Sequence, residues 1–151
     1  MPESPILLCY DGSDDAKRAI EEAASILRSR PALVLAVWQG TQAMPAFAWA
    51  AGPLPDIDGV FAAVRDGAQH MAEEGARLAA TAGFDAEPLV AEAVGPVWDA
   101  VVTVAKERDV AVIAMGSRGL GGVRTLLLGS VSSGVVHNAD RPVLVARRGD
   151  D

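Results

Sequence analysis

Two hydrophobic rhythms divide this chain. Short, nearly continuous apolar runs occupy Pro5–Tyr10, Ala32–Trp38, Val110–Met115 and Pro142–Ala146. Runs of that length, closed off by glycine, proline or aspartate, read as strands buried on both faces. A fifth run, Glu87–Glu92 within Phe84–Ala93, carries charges and a proline, which suit an outer position in a sheet. Between the runs, apolar residues recur at three-and-four spacing. Ser13 or Asp14 can cap a helix whose apolar face is Ala16, Ala19, Ile20, Ala23, Ile26 and Leu27. Val60–Ala82 carries the stripe Val60, Val64, Ala68, Met71, Gly75 and Leu78, and Gly83 follows as a C′ residue would. Gly95-Pro96 opens a helix with Val97, Ala100, Val101, Val104 and Ala105 inward. Ser130–Asn138 is a short helix with Val131, Val135 and Val136 as its apolar side, halted at Arg141-Pro142.

Strand and helix therefore alternate from end to end. That order predicts an α/β fold: a Rossmann-like open, five-stranded parallel sheet with helices on both faces and right-handed crossovers. The chain has 151 residues, half of them hydrophobic, with no internal repeat and no linker, so residues 1–151 read as one domain. Gln39 to Gly59 fits neither rhythm. It holds Met44, Phe47, Trp49, Leu54 and Ile57 among prolines and glycines. A loop this long either folds over a ligand, meets a partner, or packs its aromatics on the nearest helix. Pro31 to Pro55 lacks charge, but its prolines and glycines exclude a membrane span. The tail Arg147–Asp151 reads as disordered.

Charge and cysteine content narrow the partners. A net charge of −7 argues against nucleic acid, which needs clustered Lys and Arg. Any bound anion would have to be held by local dipoles and a few cations. The single cysteine, Cys9, lies in an apolar run and reads as a small core residue of a cytoplasmic protein. No Cys/His cluster suggests a metal, and no basic leader suggests export.

The chemistry concentrates in Val110–Ser133, where a strand runs into a loop containing Gly116, Gly119, Gly121, Gly122 and Gly129, followed by Ser130, Ser132 and Ser133. Glycine lets backbone approach a ligand, and the free N–H groups of a helix start attract phosphate. This is not a Walker A loop, since no glycine precedes a lysine. Nor is it G-x-G-x-x-G, because from Gly119 and Gly121 the third position is Arg124. A nucleophile elbow fails too, as Gly129 to Gly134 spans six residues where five are required. The spacing present is Gly116, two residues, Gly119, nine residues, Gly129, Ser130. Asp11 sits at the carboxyl end of the first strand, where open α/β sheets bind ligands, and it either faces a ligand or only closes the turn. Ser130 and His137 could form a pair, and His70 reads as a surface or packing residue.

The glycine spacing resembles the G-2x-G-9x-G-S/T motif of the ATP-binding universal stress proteins. The opening LLCYDGSDDAKRAIEEA and the stretch AVIAMGSRGLGGVRTLLLGSVSSGVVHNADRPVLVAR resemble that family over nearly the whole chain. The resemblance implies strand order 3-2-1-4-5 and homodimers built by pairing the fifth strands. It places Asp11, Cys9 and Tyr10 by the adenine and ribose, and Val37 against the adenine through its backbone. Met115 and Gly116 would border the ribose, while Gly119, Gly129, Ser130, Val131 and Ser132 would hold the phosphates. Arg118 and Arg124 would be counter-charges or solvated loop arginines.

The expected function is a regulatory stress-response module. It would bind ATP, with or without Mg²⁺, and present one state to a regulatory protein partner. Phosphoryl transfer needs a positioned base, a carboxylate-held metal and charge at the γ-phosphate. Without that set, no catalytic residue is assigned. The alternatives are a slow ATPase or self-phosphorylating enzyme using Ser130 or Ser132, a cyclic-AMP module, and a dimer that binds nothing. Valine at Gly119 should abolish ATP binding and leave the fold intact.

Overall fold

The computed structural model describes residues 3–40, 56–118 and 128–147. Gly119, Arg124, the greater part of the 39–59 stretch and the last four residues lie outside these. Five strands, β1 (Ile6–Cys9), β2 (Pro31–Trp38), β3 (Asp85–Glu92), β4 (Val112–Gly116) and β5 (Val143–Ala146), alternate with four described helices. The helices are α1 (Asp14–Ile26), α2 (Ile57–Thr81), α3 (Val97–Glu107) and α4 (Ser130–Asn138). Every strand pair is parallel, in the order β3-β2-β1-β4-β5. The α/β fold and the 3-2-1-4-5 order are therefore as expected, and the charged, proline-bearing strand does lie at an edge.

Side-chain alternation along each strand splits the core in two. Ile6, Leu8 and Tyr10 meet Ala16, Ile20 and Ala23 of α1 and Ala76 and Ala79 of α2. On the opposite face Leu7, Leu35, Ile113 and Met115 meet Val101, Val104 and Ala105 of α3 and Val135 of α4. Each such Leu or Ile, taken fully out of water, contributes about 1.5–3 kcal/mol.

Local chemistry sets the helix ends. Ser13 Oγ accepts from the Ala16 N–H at 3.1 Å and is the N-cap of α1. Gly83 has φ +110°, the left-handed C′ conformation that ends α2. Asp56 Oδ1 accepts from the Gly59 N–H at 3.0 Å, so α2 starts at Ile57 and not at Val60. β3 likewise begins at Asp85, since its ladder with β2 already runs from Pro31↔Asp85. Val110 lies before β4, its N–H bonded back to the Ala105 carbonyl.

Three expected core residues are surface residues. Ile26 is 65% exposed, Leu78 38% and Val136 44%. On α2 the buried face is Ala72, Gly75, Ala76 and Ala79. A built Cβ on Gly75 would come within 2.8 Å of the Tyr10 ring and 2.7 Å of Val34. The helix thus approaches the sheet closely on its small residues, which turns Leu78 outward.

Candidate functional site

The sheet order reverses between β1 and β4. The chain leaves these neighbouring strands on opposite faces, which opens a crevice beyond their carboxyl ends. A cleft of about 880 Å³ occupies that position, within the size range of small-molecule sites. Its floor is the strand ends: Cys9, Tyr10 and Asp11 after β1, Val37 and Trp38 of β2, Met115, Gly116 and Ser117 at β4. One wall is Val64, Ala68 and Met71 of α2, with Val97 and Val101 of α3 opposite. The end wall is Gly129, Ser130, Val131 and Ser132 at the start of α4.

Ten of the eleven expected site residues therefore line one cleft: Cys9, Tyr10, Asp11, Val37, Met115, Gly116, Gly129, Ser130, Val131 and Ser132. Gly119 lies outside the described residues.

Helices α1, α3 and α4 all bring first-turn or N-cap residues to this cleft, and α1 and α4 differ in how their ends are capped. In α1 the Ser13 hydroxyl oxygen already accepts a first-turn N–H. In α4 the N-cap is Gly129, with no side-chain cap, and the first in-helix bond is Ser133 N–H to the Gly129 carbonyl. The Gly129 N–H is taken by the Ser117 carbonyl, whereas Ser130, Val131 and Ser132 line the cleft with no backbone partner for their N–H groups among the described residues and with the positive end of the dipole behind them. That end can take an anion.

Strand alternation prepares a second polar edge. Tyr10 N–H bonds the Leu35 carbonyl, so Leu35 points its backbone groups toward β1, whereas the Trp38 carbonyl accepts from Ala93 on the β3 side. Val37 shares the parity of Leu35, and β1 has ended at Cys9. Its N–H and C=O therefore face the cleft.

The remaining candidates have defined surroundings. Asp11 Oδ1 accepts from Ser13 N–H at 2.9 Å, so one oxygen closes the turn while the residue also lines the cleft. The Tyr10 hydroxyl donates to Glu74 Oε1 of α2 at 2.6 Å, so it is already partnered within the protein. Its phenol is held above its ordinary pKa, first by burial, then by Glu74 and Asp11. Burial, with some help from Asp11, pushes the Cys9 thiol up to about 12, so it is a neutral thiol and no nucleophile. Gly116 is needed for packing: a Cβ there would lie 2.8 Å from Asp15 of α1. The buried Ser132 hydroxyl donates to the Ser117 carbonyl at 2.8 Å, which points it inward. Ser130 and His137 stand at opposite ends of α4, about 10 Å of helical rise apart, so they form no pair.

Sequence reading missed Trp38, Gln39, Ser117 and Asp15. Gln39 Nε2 donates to the Gly95 carbonyl at 3.0 Å, tying the end of β2 to the turn before α3. Asp15 lies close to Ser117 and Arg118. No local spacing announces a pair separated by a hundred residues. Val64, Ala68 and Met71 were legible as an apolar stripe, but not as a cleft wall.

An open parallel sheet with a ligand-sized cleft at its switch point defines a doubly wound α/β architecture. The chain belongs to the universal stress protein family, whose model matches residues 4–147. It is 30% identical to universal stress protein YxiE of Bacillus subtilis, over 94% of this chain and 97% of that one. It is 34% identical to a Thermus aquaticus universal stress protein, with the same coverage. Among solved structures it is similar to MJ0577 of Methanocaldococcus jannaschii, with a TM-score of 0.79 at 22% identity and full coverage of both chains. An Archaeoglobus fulgidus universal stress protein in complex with dAMP superposes with a TM-score of 0.63 at 24% identity, covering 96% of this chain and 98% of that one. One in complex with cAMP gives 0.55 at 22% identity, covering 97% and 98%.

Proposed function

We propose that the cleft binds an adenine nucleotide, ATP in the first place, and that the protein acts as a regulatory module whose bound state a partner protein reads. The observation that carries this is the α4 N-terminus. It carries no side-chain cap where Ser13 caps α1, and it forms the end wall of a cleft whose side walls on α2 and α3 are apolar. An anion at one end, a flat apolar group between α2 and α3, and a backbone edge at Val37 match phosphate, base and base edge. The dAMP and cAMP held by two structural neighbours support the same ligand class.

Within this reading Ser130 and Val131 meet phosphate through backbone N–H groups, Ser132 serves through backbone alone, and Gly129, whose own N–H is bonded to the Ser117 carbonyl, lets the backbone approach the phosphate closely. Gly119, on the glycine spacing, completes the cradle. Asp11, Cys9, Met115 and Gly116 border the sugar. Asp11 is also the carboxylate on the cleft that could hold a Mg²⁺, with phosphate oxygens and water as its other ligands. The whole chain acts as one such domain in the cytoplasm, and the exposed edge of β5 pairs with a second copy.

The test is calorimetric titration of the purified chain with ATP and with cyclic AMP, followed by thermal melting. ATP at about 100 times its Kd should stabilise the fold by roughly 2.7 kcal/mol. If neither ligand produces heat or a melting shift, the nucleotide reading fails. Slow release of radiolabelled phosphate from ATP, abolished in Asp11→Ala, would instead favour the ATPase alternative.

A further inference from the structure

We propose that Arg118, parked on Asp15, makes the cleft select nucleotides with a polyphosphate chain over mono- and cyclic phosphates. The inference rests on the adenine-nucleotide reading above and concerns which nucleotide the same cleft prefers.

Arg118 is the only lysine or arginine among the described residues lining the cleft. It is no solvated loop arginine. Its side chain is 19% exposed, and its Nε lies 3.9 Å from Asp15 Oδ2, on a side chain only 13% exposed. The Ser117 hydroxyl donates to the same oxygen at 3.4 Å. Both distances are at the long end for such contacts, so the pair is close enough to hold the guanidinium and loose enough to release it. Arg118 also stands beside the phosphate-seeking helix end. A Cβ built on Gly129, the N-cap of α4, would lie 3.5 Å from Arg118 Cα.

Charge decides the consequence. A single phosphate on the α4 N-terminus is met by backbone N–H groups and the dipole, whose effect fades within the first turn. Each further phosphate adds negative charge beyond that reach, in a chain of net charge −7 with Asp11 on the cleft and Asp15 behind it. A cation is then required, and a guanidinium can fork onto two phosphate oxygens. Asp15 tolerates losing Arg118 because it sits in the first turn of α1, where the helix dipole favours a carboxylate. The Asp15–Arg118 pair thus restrains the cation until a long phosphate chain outcompetes it.

The experiment is calorimetric titration of the full chain with ATP, ADP, AMP and cyclic AMP, in wild type, Arg118→Gln and Asp15→Asn, each checked for an unchanged melting temperature. Arg118→Gln should weaken ATP by about tenfold or more, ADP less, and AMP and cyclic AMP by less than about threefold. Asp15→Asn, which frees the arginine, should tighten ATP and leave AMP unchanged. Equal losses for all four nucleotides, or no loss for ATP, overturn the proposal while the nucleotide reading stands. A wild type that binds none of the four removes both.

Discussion

The Tyr10 hydroxyl donates to Glu74 Oε1 at 2.6 Å, tying the end of β1, at the floor of the cleft, to the middle of α2, which forms one wall. The ring of the same tyrosine lies against Gly75, where a Cβ would come within 2.8 Å of it. One residue thus joins the floor of the cleft to its α2 wall by a hydrogen bond and by packing.

Glycines on this one helix should respond oppositely to alanine. Gly75→Ala pushes backbone against the Tyr10 ring and Val34 and should cost about 1–3 kcal/mol, as overpacked cores do. Gly67→Ala meets nothing within 4 Å and should gain about 1 kcal/mol from helix propensity. Urea unfolding midpoints of the two variants check the sign. A stable Gly75→Ala would mean that α2 does not approach as described.

Alkaline pH should destabilise the fold through its first strand. Cys9 moves from 9.0 up to about 12 on folding, and Tyr10 is also raised from its ordinary value of 10.0. Both folded pKa values exceed the unfolded ones, so the folded state holds these protons longer. Their contribution is whole below pH 9 and declines as pH climbs from there through about 12. Each group adds a slope of about 1.4 kcal/mol per pH unit within its window. Denaturant titrations at rising pH should show the decline, and a Cys9→Ser, Tyr10→Phe double variant should flatten it.

Arg141 should matter for stability and not for the ligand. Its guanidinium donates to the Ala105 and Val110 carbonyls, both at 2.9 Å, and to Asp140 Oδ1 at 2.8 Å. It therefore pins the end of α3 and the approach to β4 to the turn before β5. Arg141→Ala leaves two carbonyls short of a charged donor and should cost about 2 kcal/mol. Asp140 holds its carboxyl below the usual range through the Arg141 hydrogen bond. This small, exposed share is present at neutral pH and is lost as pH falls through that lowered value. Nucleotide affinity in Arg141→Ala should match wild type, and a large loss would place the residue's role elsewhere.

Thiol chemistry offers a probe of occupancy. Cys9 lines the cleft as a neutral thiol at pH 7, so iodoacetamide should modify it slowly in the folded protein. Saturating ATP should slow the reaction further. Equal rates with and without ATP, in a protein that binds ATP by calorimetry, would put the nucleotide away from β1.

Much of this molecule is legible in its sequence because the signals are local or periodic. Four apolar runs and one charged, proline-bearing run alternating with three-and-four-spaced helices specify a parallel α/β sheet, since an apolar run can bury both faces only beneath crossover helices. Ser13, Gly83 and the glycine before Ser130 mark helix ends through backbone chemistry that needs no distant partner. Tertiary structure decided what depends on approach between remote segments. Leu78 faces water because Gly75 and the alanines around it let α2 settle on the sheet. Gly116 is required by the first turn of α1, and the Ser132 hydroxyl is taken up by Ser117. Arg118 is held at the cleft by Asp15, a residue 103 positions away that the sequence shows only as part of a helix start. Periodicity fixes which face of an element is apolar. Only packing fixes how near two faces come, and therefore which polar groups remain free to meet a ligand.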